Sequence, residues 1–294
     1  MSTRRGGPQL LQEYVGVCRS RMGEVVPGHQ AIFRGHDLHA ELRDMTWPEL
    51  YVFGITGRRF SAGSLELLDA MWTFTSYPDV RLWNNRVAGL SGSARSTGSL
   101  GLSAAMAVSE AAIYGNGIIA RGMAFFLRTQ ARLESGGELA GCIREELAAH
   151  RSVAGFGRPL VNRDERIQPI LDVAERHGLA DGPHLRLAFA VEEWLLAEGH
   201  ERMRINYAGV VCALGADMGF TAQEFYLFSA PCFLAGMPPC YIEAREQPEG
   251  SLYALPCSLI EYEGPAPRPW PTGAATGPEN ERVSRGSRED AQVP

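Results

Sequence analysis

The chain has 294 residues, 45% of them hydrophobic, and a formal net charge of −6, enough apolar material for one large core or a domain with a smaller lobe. That charge supplies no basic stripe to neutralise a phosphate backbone, so no nucleic-acid partner is expected. All 28 basic residues are arginine, which excludes Schiff-base chemistry, pyridoxal phosphate chemistry and the lysine-bearing phosphate loop.

Taken in chain order, the opening MSTRRGGPQLLQEY is charged and has no apolar stretch long enough for a signal peptide. Apolar residues at helical spacing predict helices over Ser64–Phe74, Leu139–His150, Arg166–His177 and Leu185–Leu196. Between them, Ser96 to Tyr114 is built mainly of Gly, Ala and Ser with interleaved Leu, Met, Val and Ile. Small residues let helix backbones approach closely, so this segment predicts a buried helix packed on another, either within the chain or across a dimer interface. Phe225 to Ile242 is uncharged but holds Pro231, Pro238 and Pro239, which predicts a buried, broken helix and no membrane span. Strand-like alternation is confined to Leu259–Tyr262. From about Pro265 the composition turns to Pro, Gly, Ser and charge, as in a disordered tail. The six cysteines (Cys18, Cys142, Cys212, Cys232, Cys240, Cys257) include no C-x-x-C pair, and we read them as reduced thiols of a cytoplasmic protein with no metal site.

Four segments in order then resemble the citrate synthase superfamily, in particular its short citryl-CoA lyase-like branch. Phe33-Arg34-Gly35-His36-Asp37-Leu38 is similar to the family's R-G-Y-D-I. Asn85-Arg86-Val87-Ala88 leads through Ala94-Arg95-Ser96-Thr97 into the small-residue helix ending at Gly115. Gly155-Phe156-Gly157-Arg158-Pro159-Leu160 with Asp164-Glu165-Arg166 is similar to G-F-G-H-P-L…D-P-R. Asn206-Tyr207-Ala208-Gly209 is similar to N-V-D-G and is followed by Gly219-Phe220, Arg245-Glu246-Gln247-Pro248 and Tyr262-Glu263-Gly264. The match covers roughly residues 24 to 264. It implies an all-α fold with a large helical domain (1–117 and 205–264), a small inserted helical domain (118–204) and a tail (265–294). It also implies an active site in the cleft between the domains, and a homodimer.

The family's reaction makes or breaks a carbon–carbon bond beside a coenzyme A thioester. It needs a base for the α-proton, a donor for the enolate oxygen and a group to polarise the partner carbonyl. The resemblance places the first histidine's stretch at Ile118-Ile119-Ala120-Arg121, the second histidine at Arg158 and the aspartate at Ala208. Pro78 to Arg95 lacks the fourth, substrate-holding histidine. Isoleucine and alanine titrate nothing, and arginine, with a pKa above ~12, shuttles no proton near neutrality. Ordinary citrate synthase activity is therefore not expected. Arg158, Tyr207 and Asn206 remain as candidate catalytic residues, and a packed core tyrosine is the alternative for Tyr207. Arg166 with Asp164 matches the carboxylate-gripping motif, the alternative being a salt bridge at a helix start. Gly155, Phe156, Gly157 and Arg163 match the stretch that lies against coenzyme A, the alternative being a plain turn. Where the family clamps further carboxylates with arginines, this chain reads Cys232-Phe233-Leu234 and Cys257-Ser258-Leu259.

The leading expectation is an enzyme that binds a coenzyme A thioester or related acyl or carboxylate substrate, with altered lyase or condensation chemistry and no covalently held cofactor. A catalytically inactive dimeric scaffold or regulatory partner is the second reading. A cleft recruited for unrelated specialised chemistry, through Tyr207 or a cysteine, is the third.

Overall fold

The computed structural model describes residues 7–112, 115–158 and 164–270. The helices are α1 Pro8–Glu13, α2 Trp47–Thr56, α3 Ala62–Thr73, α4 Trp83–Ser93, α5 Gly98–Val108, α6 Asn116–Glu134, α7 Leu139–His150, α8 Ile167–Arg176, α9 Pro183–Ala197, α10 Tyr207–Asp217, α11 Ala222–Ser229 and α12 Met237–Glu246. The four helices expected from periodicity are α3, α7, α8 and α9. Residues up to Tyr253 form one compact unit, and those from Ala254 form a second, in which a 3-10 turn spans Cys257–Leu259. No strand forms at Leu259–Tyr262. Most of the expected C-terminal tail, residues 271–294, lies outside the described residues.

The strands are elsewhere. A small antiparallel sheet runs β1 Gly23–Val26, β2 Gln30–Phe33 and β3 His36–Asp37, with Phe33 opposite His36. Arg34 (φ 49°) and Gly35 (φ 87°) turn the chain between β2 and β3, the pair of positive angles that a two-residue hairpin loop requires. The R-G of the first motif is thus a turn. Arg34 also donates from Nε to the Gly54 carbonyl (2.8 Å) and from Nη2 to the Ile55 carbonyl (2.9 Å) at the end of α2. The sheet escaped the periodicity reading because its strands are two to four residues long and β1 is exposed on both faces.

The core is organised around α10. Tyr207 and every residue from Gly209 to Ala216 are buried, the pattern of a helix apolar on all sides. Helices α6 and α9 pack on it, and α6 also packs on α11. Close approach depends on glycine. A Cβ on Gly215 would lie 2.4 Å from the Phe225 ring, and one on Gly209 would lie 2.5 Å from the Gly155 carbonyl oxygen.

The small-residue helix α5 packs on α4 through Gly101 and Ala105, both buried. Its burial is one-sided, with Leu100 67% exposed and Val108 exposed on the far face. The uncharged run from Phe225 is broken as expected: α11, a 3-10 segment Ala230–Gly236 starting at the Pro231 turn, then α12. By length and composition Ala222–Glu246 would suffice for a membrane span, but Phe225, Phe228, Cys232, Met237, Cys240 and Ala244 along it are buried, as in a core segment.

Candidate functional site

Two chain segments far apart in sequence are stitched together at the start of α10. Phe156 and Ile205 form an isolated antiparallel bridge. The Gly157 amide donates to the Arg204 carbonyl at 2.6 Å, and the Asn206 amide donates to the Gly155 carbonyl at 2.9 Å. Gly155 and Gly157 both sit at φ 90°, which a side chain would strain. Asn206 caps α10, its Oδ1 accepting from the Gly209 amide (3.2 Å), while its Nδ2 donates to the Gly157 carbonyl (2.8 Å). Both ends of that side chain are committed to the scaffold.

Asp164 lies just beyond this stitch, its side chain fully buried. Arg166, at the start of α8, clamps it with two parallel bonds, Nε to Oδ1 and Nη2 to Oδ2, both 2.8 Å. The Tyr207 amide, at the positive end of α10, donates to Oδ2 at 2.9 Å. Burial alone would raise the Asp164 pKa, but the Arg166 bonds and charge, the Tyr207 amide and the Arg158 charge outweigh it and hold the carboxyl below its ordinary range. The Arg166 guanidinium also lies 4.5 Å from the centre of the Tyr207 ring.

Arg158 donates from Nη1 to Glu165 Oε2 (2.8 Å), and its Nε lies 3.8 Å from Asp164. Glu165 accepts the Tyr77 hydroxyl on its other oxygen (3.0 Å). Bonding to Arg158 is the main reason that its pKa is lowered. The two departures from the G-F-G-H-P-L…D-P-R pattern, arginine for histidine and glutamate for proline, therefore face each other as an ion pair.

These groups form one wall of a cavity of about 770 Å³. Its other walls are mostly aromatic: Trp72 from α3, Trp83 from α4, Phe225 and Phe228 from α11, and Phe233 from the 3-10 segment. The rings are held by one another. Trp72 stacks on Phe228 at 5.1 Å and donates its indole N–H to the Phe228 carbonyl at 3.0 Å. Trp83 meets Phe233 edge-on at 6.3 Å.

The positions singled out in the sequence converge here. Arg158, Asp164, Arg166, Asn206, Tyr207, Ala208, Gly157, Ile118 and Phe233 all line the cavity. Gly155 and Phe156 stand behind the wall, with the Phe156 ring buried 6.3 Å from that of Phe126. Arg163 lies outside the described residues. The Tyr207 hydroxyl is buried and donates to the Met71 carbonyl at 3.1 Å, and burial pushes its pKa up. Burial likewise pushes the Cys232 thiol up to about 12. His36 sits on β3 beside Glu41 (2.9 Å), away from the cavity. Sequence reasoning passed over Glu165, whose signal was its place in the D-x-R motif. It also passed over the aromatic wall, which comes from helices that only tertiary packing brings together. No group of three or more His, Cys, Asp or Glu is arranged to hold a metal among the described residues.

No protein-family model matches the chain, and no curated protein matches it. Solved structures do. The citryl-CoA lyase of Hydrogenobacter thermophilus superposes with a TM-score of 0.75 at 18% identity, over 87% of this chain and 98% of that one. The fold is citrate synthase-like, as in that citryl-CoA lyase. An ATP citrate lyase of Methanosaeta concilii, solved with (3S)-citryl-CoA, superposes with a TM-score of 0.68 at 17% identity, over 89% of this chain and 45% of that one. The citrate synthase of Thermoplasma acidophilum, solved with carboxymethyl coenzyme A and oxaloacetate, gives 0.60 at 17% identity, over 76% of this chain and 58% of that one.

Proposed function

We propose that the chain binds a coenzyme A thioester or related acyl substrate in the cavity beside α10 and acts there by altered carbon–carbon lyase or condensation chemistry. The observation that carries this reading is the convergence of the motif residues on one large, preformed cavity whose volume falls within the usual range for small-molecule sites. Solved neighbours of the same fold hold citryl-CoA or coenzyme A with citrate, which supports a thioester as the ligand class. The lining residues come both from the proposed large domain (Met71 to Gly115 and Asn206 to Phe233) and from the proposed small one (Ile118 to Arg166). A cleft between domains bounded at 118 and 204 is part of the same proposal. A homodimer formed through the exposed face of α5 belongs to the same proposal.

In this reading Arg158 polarises the thioester or carbonyl oxygen, with its cost of burial offset by Glu165. Glu165, at 59% exposure the most accessible carboxylate on the cavity wall, receives the proton, and its lowered pKa makes it a weak base. Calorimetric titration of the whole protein with coenzyme A and acetyl-CoA tests the binding step. Saturable binding that fails in Arg158→Ala supports the proposal, and no heat with either ligand removes its main support.

One observation favours a second reading, a non-catalytic scaffold. Asp164 is held ionised in a bidentate pair, and burial raises both Tyr207 and Cys232. Binding without turnover of any thioester, together with co-purification of a second chain, decides for it.

A further inference from the structure

We infer that the acyl end of the substrate is an uncharged, ring-bearing or otherwise bulky apolar group, and that a di- or tricarboxylate is rejected. This inference rests on the reading of the cavity as an acyl site and deepens it.

The charges on the cavity wall are already balanced. Arg166 is paired with Asp164 and Arg158 with Glu165. Arg81, the remaining cation on the wall among the described residues, is paired with Asp79 at 2.6 Å. An incoming carboxylate must either displace one of these internal partners or lie unpaired against apolar rings.

Most of the neutral polar groups are committed as well. The Thr75 hydroxyl donates to the Met71 carbonyl (2.7 Å), Asn84 Nδ2 to Ser109 Oγ (3.2 Å), and the Ser229 hydroxyl to the Tyr226 carbonyl (2.9 Å). Asn206 is engaged at both ends. What the wall offers a ligand is therefore chiefly the ring surface of Trp72, Trp83 and Phe233, which are partly exposed. Phe225 and Phe228 are themselves almost fully buried, and Trp72 is fixed by its stack on Phe228 and its indole bond. The rings therefore need no reordering to receive a flat apolar group, and burial of apolar surface against them is the available driving force.

The experiment is a calorimetric series on the whole protein with phenylacetyl-CoA, acetyl-CoA and succinyl-CoA, repeated with the corresponding N-acetylcysteamine thioesters. Phenylacetyl-CoA is expected to bind at least tenfold more tightly than either of the others. Succinyl-CoA binding as tightly as phenylacetyl-CoA, or more tightly, overturns the inference. If no coenzyme A thioester binds while the phenylacetyl N-acetylcysteamine thioester does, the apolar subsite stands and the coenzyme A reading falls. If the acyl preference is absent in both series, the inference falls whatever coenzyme A does. Phe233→Ala is expected to reduce the phenylacetyl preference at least threefold, and the milder Phe233→Leu to retain most of it. An unchanged preference in a folded Phe233→Ala counts against the assignment.

Discussion

Asp164→Ala puts the buried network to its hardest test. The substitution removes two 2.8 Å bonds from Arg166 and one 2.9 Å bond from the Tyr207 amide. It leaves a buried guanidinium and a helix N-terminal amide without their acceptor. Breaking a buried ion pair by deleting one partner costs about 3–5 kcal/mol, because the survivor stays desolvated. For a chain of this size about 1 kcal/mol moves the melting temperature by ~2–4 °C, so thermal unfolding at pH 7 should fall by roughly 6–20 °C. Asp164→Asn, whose amide oxygen can still accept from Tyr207, should fall in between. The pH dependence adds a second readout. The folded pKa of Asp164 is depressed, so its contribution is fully present above the unfolded value of about 3.9 and is lost as pH falls through the lower folded value. The gap between wild type and variant should therefore narrow below about pH 4. A melting temperature within ~2 °C of wild type at pH 7 in Asp164→Ala would refute the reasoning.

The other expectations concern the scaffold, the rim and the thiols. A Cβ on Gly155 would lie 2.6 Å from the Gly209 Cα, and the residue sits at φ 90°, so Gly155→Ala should destabilise by at least the ~1–3 kcal/mol of an overpacked core, read by urea unfolding. Glu165→Gln breaks the half-exposed pair with Arg158 and should cost under about 1 kcal/mol in the same assay. In kinetics, the same variant should abolish any turnover while raising affinity for carboxylate-bearing thioesters. Ellman titration of the native protein should modify Cys18 and Cys257 quickly, because they are exposed, and Cys142, Cys212, Cys232 and Cys240 only on unfolding, because they are buried.

The helices were legible wherever one face was apolar and the other wet, as in α8, where Ile170, Val173 and Ala174 turn inward. The cavity's polar wall was legible because its residues lie in short motifs with fixed spacing. Its aromatic wall was not, since Trp72, Trp83 and Phe228 come from three helices and no local pattern links them. The hairpin at residues 23–37 was missed because its strands are two to four residues long and none alternates between buried and exposed positions.

The motif residues that survive turn out to have folding tasks. Arg34 and Gly35 make a turn and tie it to α2. Gly155 and Gly157 occupy backbone angles and contacts that exclude a side chain. Asn206 caps α10 and holds the neighbouring loop, and Asp164 joins Arg166 to the same helix. These folding tasks account for their retention, so the case for a bound ligand rests on the cavity that Gly157, Asp164, Arg166 and Asn206 line together. The weight falls on the positions that differ. Arg158 and Glu165 pair with each other, and the glutamate offsets the arginine's charge beside the cavity. With Glu165 in place the Arg158 charge is balanced, as the proposed preference for an uncharged acyl group requires.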